Sequence, residues 1–75
     1  MNLGSAIYKH QSPAFNNGKP VIVYHPRGLP PTGITAENTP TPEEVAMVTP
    51  RARGSKVRHF DATTGDLVHE FPVIG

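Results

Sequence analysis

Proline and glycine punctuate this chain so densely that only short pieces of regular structure fit between them. Nine prolines and seven glycines stand among 75 residues, roughly a fifth of the chain against an ordinary share of about an eighth. Proline fixes its φ and has no amide proton, so it ends helices and is kept out of central strands. A chain this short is one domain at most and buries a modest share of its surface; such domains usually lean on disulfides, a metal or a partner. The absence of cysteine removes disulfides and thiolate metal sites. The expected fold class is small, mostly β and irregular: a C-terminal β-hairpin, one short strand and one two-turn helix, with extended Pro/Gly-rich arms.

Residues 1–18 show no sustained period and read as an N-terminal arm. Leu3, Ala6 and Ile7 would make one apolar turn, and Asn16-Asn17-Gly18 is turn chemistry. Residues 19–25 hold a short strand, Val21-Ile22-Val23-Tyr24. Its three β-branched side chains and one aromatic, closed in by Pro20 and Pro26, favour a strand covered on both faces. Residues 26–40 are a Pro/Gly-rich extended segment, where Pro30-Pro31 favours polyproline geometry and Gly28 and Gly33 supply bends.

Residues 41–49 form the predicted helix. Thr41 is the N-cap, Pro42 occupies the first helical position, and Glu44 completes a capping box; Pro50 stops the helix. Two turns do not persist in isolation, so Val45 and Val48, with Met47, must pack on something. Residues 50–75 comprise a basic connector and the β-hairpin. Arg51, Arg53, Lys56 and Arg58 could meet an anionic partner or simply keep a connector solvated; no aromatic platform interleaves them.

The hairpin occupies residues 56–72, K-V-R-H-F-D-A-T-T-G-D-L-V-H-E-F-P. Asp61 accepts from the amides of the turn, Thr63 or Thr64 assists, and Gly65 takes the left-handed conformation. A four-residue loop pairs Phe60 with Leu67; a five-residue loop pairs His59 with Leu67 and sets Lys56 opposite Glu70. Both registers leave apolar groups on each face, and an isolated hairpin is marginal in water. Cover must therefore come from the Val21–Tyr24 strand, the short helix or another chain.

Asp61, Thr64, Gly65, Asp66, Leu67, Val68 and Phe71-Pro72 resemble the C-terminal D-x-x-T-G-E-V-I-x-x-I-P segment of the flagellar FlaG family, over about seventeen residues and with Asp66 in place of Glu. The same stretch is similar to one D-A-x-T-G strand pair of quinoprotein-type β-propellers, with His69 where that pattern has tryptophan. What the two resemblances share implies a turn geometry, and the first implies an appendage-associated role.

Four histidines invite a metal site, but none is spaced as H-x-x-x-H or H-x-x-E-H. Neither a phosphate loop nor a nucleophile elbow is present. The expectation is a non-enzymatic protein without metal or cofactor. His59 and His69 flank the turn, and their protonation near pH 6 would tune any interface that holds them. Net charge near +1 gives no global attraction to nucleic acid or membrane. No apolar run reaches a membrane span and no signal-peptide order is seen, so a soluble, unexported protein is expected.

The expected function is a small structural or accessory protein that docks on other subunits of a larger assembly, such as a virion (capsid cement, connector or tail component) or a flagellar appendage. Tyr8, Phe15, Tyr24, Phe60 and Phe71 are the expected anchors for partner binding by strand addition. A nucleic-acid-binding accessory acting through Arg51, Arg53, Lys56 and Arg58 is the competing reading.

Overall fold

The computed structural model describes residues 6–26, 36–54 and 56–71. Within them lie β1 (Ala6–Gln11), α1 (Pro13–Asn16), β2 (Pro20–His25), α2 (Pro42–Val48), β3 (Val57–Asp61) and β4 (Leu67–Phe71). The strands form one antiparallel sheet in the order β1-β2-β3-β4.

Central strand β2 is the run of β-branched residues between prolines. Val21, Ile22 and Val23 are fully buried, because β1 and β3 flank them and both faces of the sheet are covered. The expectation of an N-terminal arm over residues 1–18 is corrected here: Ala6–Gln11 is a strand of the sheet. Residues 6–11 pair with β2 along their whole length, from Ala6 opposite His25 to Gln11 opposite Pro20. Ile7 and Lys9 thereby share a face with Tyr24 and Ile22, while Tyr8 and His10 take the other, an alternation that becomes meaningful only beside a partner strand. The return to β2 runs through the single helical turn α1. Asn17 (φ 53°) and Gly18 (φ 81°) complete the bend, and the Lys19 amide donates to the Asn16 carbonyl at 2.8 Å. The Asn-Asn-Gly turn is thus where the sequence places it.

The capping box of α2 forms in full. Thr41 Oγ1 accepts from the Glu44 amide at 3.1 Å, and Glu44 Oε1 accepts from the Thr41 amide at 2.8 Å. Val48 is fully buried, and Met47 packs against the core. Val45 departs from expectation: with Pro40, Pro42, Ala46, Thr49 and Pro50 it lines a shallow apolar depression on the outer side of the helix. The core itself is Ile22, Tyr24, Val48, Ala52, Phe60 and Ala62, with Ile7 and Met47 against it. It fills the space between α2 and one face of the sheet.

Two expected docking anchors are therefore corrected. Phe60 is fully buried and Tyr24 nearly so; both are core residues, because their strand positions face α2. Cover for the hairpin comes from its own chain: β2 beside it, α2 on one face and α1 on the other.

Of the two registers, the four-residue loop prevails at the turn, where Phe60 opposes Leu67. One step on, His59 opposes His69, Arg58 opposes Glu70 and Val57 opposes Phe71. Val68 is left over as the extra residue of a β-bulge. This slip brings the basic Arg58 opposite Glu70 without giving up the four-residue turn. Segment 26–40 is only partly described: Gly28, Pro30, Pro31 and Gly33 lie outside the described residues, as do Leu3 and Pro72. Its end, residues 37–38, runs beside β1, where the amides of Glu37 and Asn38 donate to the Lys9 carbonyl at 3.1 and 3.3 Å.

Candidate functional site

All four histidines come to the face of the sheet opposite the α2 core. The register sets His10 opposite Val21, Ala6 opposite His25, His59 opposite Val23, and His69 opposite His59. His10 and Tyr8 stand on β1, His25 on β2, His59 on β3, and His69 and Phe71 on β4. Sequence spacing hides this grouping, since a period of two on four separate strands brings together residues up to 59 positions apart.

Phe15 of α1 caps the cluster. Its ring centroid lies 4.8 Å from that of His59 (interplanar angle 79°), 4.6 Å from His69 and 5.6 Å from Phe71. His59 is also within 6.2 Å of both His10 and His69 and 5.2 Å from Phe71. Tyr8 meets His25 edge-on at 5.9 Å. These are the offset and edge-to-face geometries that aromatic rings prefer.

The cluster is sparingly hydrogen-bonded at its centre. His59 is 5% exposed and His25 6%. Among the described residues, His59 Nδ1, His25 Nε2 and His10 Nε2 are buried without a hydrogen-bond partner. Burial holds the His59 pKa down at about 4, helped by the neighbouring His10, His69 and His25. Burial also lowers that of His25. An imidazolium at His59 would recover about 1 kcal/mol from nearby aromatic faces, against several kcal/mol for a buried charge with no counter-ion. Neutral imidazole wins at neutral pH.

The carboxylate on this face is already engaged. Asp61 Oδ1 accepts from the amides of Thr63 at 2.7 Å and Thr64 at 3.0 Å, and its Oδ2 from the Asn16 side-chain amide at 3.1 Å. These bonds, that from Thr64 first, hold the Asp61 carboxyl below its ordinary range. They confirm the Asx-turn expected at Asp61. Gly65 takes φ 78°, and Thr64 Oγ1 bonds the Asp66 carboxylate at 3.0 Å. Among the described residues, no group of three or more His, Asp or Glu is placed to hold a metal ion.

The basic cluster is largely engaged within the chain. Arg51 donates to the Gly65 carbonyl at 2.6 Å. Arg58 Nε and Lys56 Nζ share the Glu70 carboxylate at 2.8 and 3.3 Å, which lowers the Glu70 pKa, chiefly through Arg58. Arg53 is exposed. Of the expected anchors, Tyr8, Phe15 and Phe71 gather on the histidine face, whereas Tyr24 and Phe60 sit on the other side of the sheet.

The two edges of the sheet differ. β1 is bridged on its outer side by Asn38, whereas no described residue pairs with the outer side of β4. Leu67, at the start of β4, is the large hydrophobic residue exposed to solvent among the described residues, at 49%. Sequence reasoning singled out neither Leu67 nor the pairing of His10 and His25 with the hairpin histidines. Among the described residues, no helix is long and apolar enough to cross a membrane. No family model, curated protein or solved structure matches the chain.

Proposed function

We propose that this chain is a non-catalytic interaction module, an accessory component of a larger assembly, that takes up a partner strand along the outer edge of β4. The observation that carries the reading is the asymmetry of the edges among the described residues, with β1 bridged by Asn38 and β4 unpaired on its outer side beside an exposed Leu67. An unpaired edge offers a ladder of backbone donors and acceptors, and proteins ordinarily cover or blunt such edges. Strand addition draws affinity from that ladder and specificity from alternate side chains. Leu67 would be the apolar contact at one end of β4 and Phe71 at the other. A virion or a flagellar appendage is the setting proposed for that assembly, as expected from the sequence.

The engagement of Arg51, Lys56 and Arg58 within the chain supports this reading over the nucleic-acid one. The test is hydrogen exchange on the chain alone and within the complex purified from its source cells, together with the variant Leu67→Lys. New amide protection centred on residues 67–71, with recovery of the partner reduced at least about tenfold in the variant at unchanged stability, is the expected result. Protection gained only over residues 51–58, and abolished by salt, would replace strand addition with nucleic-acid binding.

A further inference from the structure

We propose that the face formed by His10, His25, His59 and His69 beneath Phe15 is an acid-sensitive latch, in which proton uptake by the buried histidines displaces α1 from the sheet. It stands independently of any partner at β4.

The geometry supplies a group that must stay neutral, other imidazoles crowded against it, and a cover small enough to leave. His59 is buried with Nδ1 unpartnered among the described residues, so the second N–H of an imidazolium has no acceptor waiting for it. The groups facing it are His10 from β1, His25 from β2, His69 from β4, and Asp61 further along β3. Tyr8 shares the face, and α1 (P-A-F-N) contributes no charge. Lys19, just beyond α1, acts on Asp61. Asp61 is the one potential counter-ion in this set, and it is committed to Thr63, Thr64 and Asn16. Any charge gained by His10, His25 or His69 is repulsive toward His59.

The cover is a single helical turn held by few bonds. Phe15 rests on His59, His69 and Phe71, and Asn16 ties the turn to Asp61 and to the Pro20 carbonyl. Lifting Phe15 admits water to the imidazoles while leaving the core on the α2 side of the sheet untouched. The latch is thus separable from the rest of the fold.

The sign of the effect follows from linkage. A histidine with an ordinary pKa of 6.5 when unfolded and about 4 when folded takes up its proton more readily in the open or unfolded state. Its stabilising contribution is complete above pH 6.5 and is lost as pH falls toward 4. From pH 7.5 to pH 5, His59 alone raises the opening constant roughly thirty-fold.

The experiment is an NMR titration of the full chain from pH 7.5 to 5, following the imidazole of His59 and the amides of residues 14–16 and 21–24. The expected result is loss of the α1 signals or their exchange protection while those of β2 persist, with the transition absent in His59→Leu. An α1 unchanged down to pH 5, or the same transition in His59→Leu, would overturn the proposal. Should that variant fail to fold, the wild-type imidazole decides. Uptake of a proton by His59 only as α1 releases supports the latch; protonation of His59 with α1 in place, or no change in either down to pH 5, refutes it.

Discussion

Lys9 Nζ lies 2.6 Å from Glu44 Oε2, so one carboxylate both caps α2 and ties that helix to β1. Glu44 uses its other oxygen to close the capping box, and the Lys9 bond is the main reason its pKa falls below the usual carboxylate range. The two functions separate by substitution. Glu44→Gln keeps an acceptor for the Thr41 amide and should lose only the ion pair, about 0.5 kcal/mol for a partly exposed pair. Glu44→Ala should lose the cap as well, about 1.5 kcal/mol in all. Denaturant unfolding of both variants, with and without Lys9→Met, checks this; the Lys9 change should have little further effect in either background.

Gly65 is the tightest point of the hairpin. It holds φ 78°, and a Cβ there would stand 2.7 Å from Met47 Cγ. Gly65→Ala should destabilise by about 2 kcal/mol, combining left-handed strain with displacement of the Met47 side chain. Adding Met47→Ala should relieve the contact but not the strain. The double-mutant cycle in denaturant measures that coupling.

Phe60 separates two accounts of the aromatics. As an exposed anchor its loss would weaken partner binding in an intact fold, whereas as a buried core residue its removal should cost about 3–5 kcal/mol. In a chain this small that is comparable to what a single core supplies. Phe60→Ala should therefore be largely unfolded by circular dichroism at 25 °C. Leu67→Lys, at an exposed site, should change stability by less than about 0.5 kcal/mol.

Acid should act in two stages. The upper stage is the loss ascribed above to His59, whose lowered pKa removes its contribution as pH falls below 6.5. The carboxyls of Glu44, Asp61 and Glu70 have lowered pKa values. Their contribution is full above the ordinary values of 4.5 for Glu and 3.8 for Asp and is lost as pH falls below them. Asp61→Asn should leave the upper stage in place and weaken the lower one, read from unfolding midpoints at half-unit pH steps from 7.5 to 3.

How far the chain could be read from its residues depended on whether the signal was local. The capping box Thr41–Glu44, the strand Val21–Tyr24 and the Asp61–Gly65 turn each carry their cause within a few residues, and each formed. β1 has no such local cause: A-I-Y-K-H-Q becomes a strand because β2 lies beside it, so from sequence it falls within the arm expected over residues 1–18. The histidine face is further out of reach, since His10, His25, His59 and His69 meet only once strand order and register are known. Even the hairpin register depended on Val68, whose bulge reconciles a four-residue turn with the Arg58–Glu70 pair. Aromaticity by itself did not separate core from surface, which is why Phe60 and Tyr24 were expected at a partner and lie against α2.

The central claim is a sheet covered on both faces by its own chain and, among the described residues, open at the outer edge of β4. Amide hydrogen exchange of the isolated monomer at pH 7 tests it most directly. The expected result is slow, cooperative exchange at Val21, Ile22, Val23 and Phe60, with β4 exchanging faster than β2 and β3. Fast exchange throughout, or β4 amides as slow as those of β2 in the absence of any partner, would contradict it.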